Sequence, residues 1–219
     1  MYTDVKFSVK LEQGGTPAFS TSAGVKQGCA LSPILFSLYI NDLVNIFDDN
    51  CEPALLGEKK TNCLLYADDL VLMSESADGL QNSLNKLNAY CKFWNLQVNI
   101  KKTSVMIFNK TGKMIYKNKF VIDNNSITIV NEYKYLGLLF KPSGSFSHAV
   151  INLMNKAKKA MFSLKSTLAS DRMSVIPHIK LFDSCIKPIA LYCSEVWILD
   201  TLKIEKGDIE KRYNYVNHT

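Results

Sequence analysis

Cys63-Leu64-Leu65-Tyr66-Ala67-Asp68-Asp69-Leu70-Val71-Leu72-Met73 joins two short apolar runs through an acidic pair. Runs of that length fit buried strands, so the stretch predicts a tight β-hairpin with Asp68 and Asp69 at its tip. Aspartate is a common turn residue, and a polar β-turn is the plain structural reading. Asp-Asp is nevertheless not a favoured hairpin pair; Asn-Gly or Asp-Gly would be. Two like charges enclosed by apolar strands repel unless a cation binds there. Two-metal nucleotidyl transfer requires rigidly held carboxylates around ions about 3.5–4 Å apart. Magnesium takes oxygen ligands, often one or two carboxylates completed by substrate phosphates. On these residues alone both readings, turn and metal site, stand.

Upstream, residues 5–11 (VKFSVKL) alternate in character and meet Gly14-Gly15, so 5–22 reads as a β-hairpin. Gly24-Val25-Lys26-Gln27-Gly28-Cys29 is a glycine-punctuated loop. Ser32-Pro33 then opens a helix, with Ser at the cap and Pro in the first turn. Ile34, Leu35, Leu38, Tyr39, Asp42 and Ile46 share one side of it, and Asp48-Asp49-Asn50 ends it. Downstream of the acidic pair, Leu80, Leu84, Leu87, Cys91 and Trp94 mark an amphipathic helix assigned to core packing. Leu96, Val98 and Ile100 alternate, and 104–108 (SVMIF) reads as a strand. Residues 120–122 and 127–130 flank Asn124-Asn125 as a further hairpin, and 133–140 is strand-like. After Pro142 and Gly144 the character changes. Val150, Met154, Ala157, Met161, Leu164 and Leu168 form a helical stripe opposite lysines, and a further helix over 174–199 is broken or kinked at Pro188. The expected organisation is an α+β module over 1–141 and a helical one over 142–219.

The 219 residues are 47% hydrophobic, enough for one large or two small domains. No run approaches a membrane span, so no membrane partner is expected. The first residues lack the apolar core and cleavage site of a signal peptide. Both point to an intracellular chain with its six cysteines reduced. Those cysteines form no CxxC pair and only three histidines are present, so no zinc knuckle is expected and the cysteines read as small buried hydrophobes. Net charge is +6, unevenly spread: Gly79 to Ile122 holds eight lysines and no acid, Asp42 to Asp78 nine acids against Lys59 and Lys60. A basic flank beside an acidic centre suits an enzyme that holds a polyanion and gathers metal ions; taken alone, a lysine run is more often a solvated face.

Four motifs in order then carry a family resemblance. Residues 24–36 (GVKQGCALSPILF) are similar to the GVxQGxxLSPxLF motif of reverse transcriptases. Tyr66-Ala67-Asp68-Asp69, some forty residues later, resembles their YxDD box. Trp94-Asn95-Leu96 through Asn99-Ile100-Lys101-Lys102-Thr103 resembles the G/NLxxNxxKT motif, and Tyr135-Leu136-Gly137 the YLG primer-grip turn. Ala67 inside the box, the long Lys-Thr segment and the apolar strand after YLG resemble the LINE-type (non-LTR) retrotransposon branch. The tail from Lys180-Leu181-Phe182 through Ile186-Lys187-Pro188 to Tyr192-Cys193-Ser194-Glu195-Val196-Trp197 resembles the region after the palm in those elements.

The resemblance implies an α+β fold: part of a right-hand polymerase palm, an antiparallel sheet with packed helices, followed by a thumb-like helical segment. It implies an RNA-directed DNA polymerase in which a primer 3′-hydroxyl attacks the α-phosphate of a dNTP, with two Mg²⁺ (or Mn²⁺) ions. In this reading Asp68 is a metal ligand with Asp69 beside it. Gly24, Gln27 and Gly28 pack backbone against template and incoming nucleotide, where a Cβ would obstruct approach. Tyr66 and Ala67 line the nucleotide side, and Lys102 neutralises or protonates the departing pyrophosphate. Tyr135, Leu136 and Gly137 hold the primer end, and the lysine face of 156–165 contacts duplex phosphates. Taken singly, the same residues read as loop glycines, core packing, a solvated lysine and an ordinary turn. The implied partners are RNA template, DNA primer, dNTP, and the N-terminal part of the same polyprotein with fingers and endonuclease. The implied locations are a cytoplasmic ribonucleoprotein and the nucleus.

Nothing before Gly24 matches the family's first metal-binding Asp motif or its fingers. The expectation is the C-terminal part of a palm plus the start of a thumb, with little or no polymerase activity alone. An apolar strand edge would be left exposed where the unmatched strand pairs. A catalytically dead nucleic-acid-binding remnant or domesticated module is the rival reading. A group II intron maturase, sharing the motifs more loosely, is a weaker one.

Overall fold

The computed structural model describes residues 6–12, 14–20, 24–26, 28–109, 111–112, 118–168 and 175–201. Four short strands come first: β1 (Lys6–Phe7), β2 (Lys10–Leu11), β3 (Gly14–Gly15) and β4 (Phe19–Ser20). Helix α1 (Ser32–Tyr39) follows, then short 3-10 turns at Leu43–Ile46 and Asp49–Cys51. Strands β5 (Ala54–Leu56), β6 (Lys59–Thr61), β7 (Cys63–Tyr66) and β8 (Asp69–Leu72) lead into helix α2 (Ala77–Phe93). Next are β9 (Ser104–Val105), β10 (Phe120–Ile122), β11 (Asn125–Ile129), β12 (Tyr133–Tyr135) and β13 (Leu138–Phe140). The remaining helices are α3 (Ser147–Leu168), α4 (Val175–Leu181), α5 (Lys187–Ala190) and α6 (Ser194–Thr201), with a π-helical turn at Phe182–Ile186 before α5. The mixture is α+β, and no helix of the described residues is long and apolar enough to cross a membrane.

Packing divides the chain into two compact units, Met1–Lys101 with Phe120–Ser126, and Lys102–Lys119 with Ile127–Thr219. This division does not follow the change of composition near residue 142. Leu138 shares a core with Ala149, Leu153 and Trp197, so the last hairpin packs with the helices that follow it.

In the first unit the opening hairpin forms as expected: Lys6 pairs with Ser20 and Lys10 with Gly15. Helix α1 departs from expectation. It ends at Tyr39, and Ile34 and Leu38 on its expected core face are exposed. Asn41 and Asp42 are poor helix formers, and the bend there turns Ile40, Leu43 and Phe47 inward instead. Nor is Ser32 the cap: it is the first helical residue, buried, and its hydroxyl donates to the Lys26 carbonyl at 2.6 Å, tying the helix to the loop before it.

Helix α2 follows its stripe. Leu87, Tyr90 and Cys91 meet Leu43, Phe47 and Cys51 in one core, and Leu84 is buried as well. Ser76 caps it, accepting from the Gly79 amide at 2.9 Å. The Tyr90 hydroxyl donates to Asp42 at 2.5 Å. Burial, reinforced by that carboxylate, raises the Tyr90 phenol above its ordinary range.

In the second unit β9 and β11 pair in parallel, Ser104 against Thr128. The hairpin expected around 120–130 forms; its strand β10 and its turn belong to the first unit, and the turn lies one residue earlier than expected, at Asp123-Asn124, both at positive φ (47° and 66°) as a type I′ turn requires. Residues 133–140 form a hairpin rather than one strand. The helix expected over 174–199 is broken as Pro188 demands, with the π-helical turn before it. It breaks again at Leu191–Cys193, where Cys193 takes φ 53°.

Candidate active site

The Cys63–Met73 hairpin has the register Cys63↔Leu72, Leu64↔Val71, Leu65↔Leu70 and Tyr66↔Asp69. Ala67 and Asp68 are therefore the two-residue tip, and Asp69 begins the returning strand. Ala67 carries φ 52°, a left-handed conformation usually left to glycine, while Asp68 does not share it. The turn thus contains local strain held by four paired residues on each side.

The strands are not buried as the apolar runs predict. Leu64 is 44% and Tyr66 63% exposed, and β7 and β8 form a two-stranded sheet with no third strand among the described residues. Only Cys63, Leu70 and Leu72 pack against the core on α2. An apolar run is necessary for a doubly covered strand but does not provide the cover. With the tip in solvent, water screens the two carboxylates, so their repulsion alone does not demand a cation.

Among the described residues neither Asp68 nor Asp69 has an ion pair or side-chain hydrogen bond, and no group of three His, Cys, Asp or Glu side chains could hold a metal. Two adjacent, open carboxylates are the right chemistry for a hard divalent ion that also takes substrate phosphate oxygens, though not a closed cage. They fit as part of a donor set.

Gly24 and Gly28, also in the first unit, have φ 90° and 81°, and among the described residues no neighbouring atom lies within 4 Å of where a Cβ would project. Within the chain it is backbone conformation that calls for glycine there, and the space beside it is open. Gln27 lies outside the described residues. A shallow cleft of about 440 Å³ is lined by Leu35, Leu38, Tyr39, Asn41, Asp42 and Trp94; none of the candidate site residues borders it.

Lys102, Tyr135, Leu136 and Gly137 belong to the second unit. Tyr133, in the strand leading to the YLG turn, places its hydroxyl 3.4 Å from the Lys102 carbonyl. Leu136 and Gly137 take φ 44° and 86°, a type I′ turn between β12 and β13. Tyr192, in the turn before α6, donates from its hydroxyl to the Leu136 carbonyl at 2.6 Å. The sequence contains Tyr192 within the tail resembling the post-palm region, but nothing in it announces a contact across 56 residues.

The lysine segment is less unpaired than its composition suggests. Lys86 meets Asp48 at 2.7 Å and Lys92 bonds Asp123. Hydrogen bonding from Lys86 holds the Asp48 carboxyl below its ordinary range, and Lys92 does the same to Asp123.

Residues 2–140, including all four motifs, match the family described as reverse transcriptase (RNA-dependent DNA polymerase). The chain belongs to the reverse transcriptase family. Relatives include the RNA-directed DNA polymerase from mobile element jockey of Drosophila funebris, 25% identical over 201 residues, 88% of this chain and 21% of that protein. The Pol polyprotein of the type-1 retrotransposable element R2 of Popillia japonica is 34% identical over 137 residues, 59% of this chain and 23% of its own length. The corresponding R2 protein of Nasonia vitripennis is 32% identical over 129 residues, 55% and 12%. The resemblance to non-LTR retrotransposon polymerases is thereby borne out. This reverse transcriptase chain spans between about an eighth and a quarter of the length of these curated relatives. Members of the family use divalent metal ions and act on nucleic-acid templates with dNTPs.

Proposed function

We propose that this chain supplies the metal-binding hairpin, the template and nucleotide loop and the primer-grip turn of the palm of a non-LTR retrotransposon RNA-directed DNA polymerase. Residues from 142 on form the beginning of its thumb. The observation that carries the reading is the Tyr66↔Asp69 register: it puts Asp68 at an exposed tip with Asp69 beside it, both carboxylates open.

Asp68 and Asp69 would hold the divalent ions, two Mg²⁺ in this reading. When bound, such ions lower the pKa of the primer hydroxyl and stabilise the leaving pyrophosphate. Ala67 and Tyr66 present the hairpin's side to the incoming dNTP. Gly24, Gln27 and Gly28 let template and nucleotide approach the backbone. Lys102 places positive charge, and an available proton, beside the pyrophosphate. Tyr135, Leu136 and Gly137 hold the primer end so that its 3′-oxygen faces the α-phosphate, the orientation that makes in-line displacement efficient. The lysine face of 156–165 would bind duplex phosphates with an affinity that falls as salt rises.

A Mn²⁺ titration followed by electron paramagnetic resonance, with an RNA template and annealed DNA primer present, tests the reading. The Asp68→Asn/Asp69→Asn chain is expected to bind Mn²⁺ at least about ten-fold more weakly, because losing even the outer-shell partners of a metal site typically costs that much. Identical binding by wild type and variant would sink the metal assignment. Two-ion chemistry calls for a further carboxylate beyond these two. Residues 1–219 alone are therefore expected to extend oligo(dT) on poly(A) little or not at all. Incorporation abolished by Asp68→Asn would overturn that expectation.

A further inference from the structure

We infer that Tyr192 is a positioning residue for the primer terminus, acting through the Leu136-Gly137 turn; the inference rests on the primer-grip reading of that turn. The side chain touches both turn residues. Its hydroxyl donates to the Leu136 carbonyl at 2.6 Å. Its ring lies so close to Gly137 that an added Cβ would stand 2.9 Å from Cε1, 3.1 Å from the hydroxyl oxygen and 3.2 Å from Cζ.

Tyr192 is itself held. The Trp197 indole donates to the Tyr192 carbonyl at 2.8 Å, and Trp197 is buried against Leu138, Ala149 and Leu153. The left-handed Cys193 ends the chain segment that delivers Tyr192 and lets α6 begin at Ser194. A continuous support thus runs from the core of the second unit, through Trp197 and Tyr192, to a turn whose first residue is a leucine at φ 44°. Strand pairing does not depend on the contact, because Tyr133↔Phe140, Lys134↔Leu139 and Tyr135↔Leu138 close the hairpin by themselves. Tyr192 therefore fixes the orientation of the turn's peptide groups rather than the existence of the hairpin. A strained turn that must hold a primer end within a fraction of an ångström needs such an external support.

Fluorescence anisotropy with the full 219-residue chain in Mg²⁺ tests this with two probes of equal length. One is an RNA template carrying a DNA primer with a recessed 3′ end; the other is a blunt RNA–DNA hybrid. The wild-type chain is expected to prefer the recessed end several-fold. Tyr192→Phe, which removes only the hydroxyl, should bring that preference to within about two-fold of unity while affinity for the blunt hybrid and the melting temperature stay unchanged. Gly137→Ala, which drives a methyl into the ring, should do the same to the preference. Preference intact in both variants overturns the inference and leaves the primer-grip reading standing. No preference in the wild-type chain overturns that reading and the inference with it. Equal weakening on both probes with a lowered melting temperature makes Tyr192 a structural side chain and overturns the inference alone.

Discussion

Two of the hairpins with two-residue turns can be set side by side: Ala67-Asp68 between β7 and β8, and Leu136-Gly137 between β12 and β13. Each puts a non-glycine residue at positive φ in its first turn position. They differ in what holds them. The first stands on the core only through Cys63, Leu70 and Leu72, and its tip touches no other side chain by hydrogen bond or ion pair among the described residues. The second packs Leu138 into a core with Trp197 and receives a hydrogen bond from Tyr192 at its turn. One turn keeps its polar groups open to a ligand; the other spends a polar group on fixing its own shape. On the reading proposed above, the first turn leaves its carboxylate oxygens to ions, and the second is braced to hold a ligand by shape.

Removing the support of the second hairpin should have the largest effect. Trp197→Ala deletes a buried ring and the donor to the Tyr192 carbonyl, so urea denaturation should show a loss of about 3–5 kcal/mol. Gly137→Ala sets the left-handed penalty and the clash with Tyr192 together. It should destabilise by about 1–3 kcal/mol on the same assay, and a neutral result would mean the Tyr192 ring moves aside freely.

The ground beneath the first hairpin can be tested by pH. The Tyr90 phenol is raised by burial and by Asp42, so its contribution is fully present below the unfolded value near 10 and is lost as pH climbs through the folded one. Tyr90→Phe cannot lose it. Wild type should be the more stable of the two at pH 8, with the gap closing as pH rises past about 10.5. A gap constant with pH would contradict the assignment. The smallest change is expected at the tip. Ala67→Gly exchanges relief of left-handed strain for a more flexible unfolded chain, so thermal melting should shift by less than that of Gly137→Ala and upward, by about 1 kcal/mol or less.

Much of what holds the second hairpin, and part of what holds the first, lies outside what residue patterns convey. That 63–73 forms a tight hairpin was legible from its two apolar runs, but its register was not: the turn falls one residue before the acidic pair, at Ala67-Asp68, and Asp69 pairs within the strand. So was the α2 stripe, whose Leu84, Leu87 and Cys91 are buried at helical spacing. The face of α1 was misread: its periodicity continues past Tyr39, but the backbone does not. The segregation of charge along the chain does not persist fully in space, since Lys86 and Lys92 meet Asp48 and Asp123. Hairpin β5–β6, in the stretch between the acidic turn and α1, had no pattern to mark it.

The sequence by itself determined the family, the order of the four motifs and the place of Asp68 at the tip of its hairpin, because these depend on local periodicity and on residue identity. Tertiary structure alone decided that the hairpin's strands stay half open, that Leu138 packs with α3 and α6, and that Tyr192 reaches the Leu136 carbonyl. Those outcomes depend on which surfaces meet across long separations. A contact spanning 56 residues is set by the packing of everything between them, and leaves no trace in the spacing of either partner.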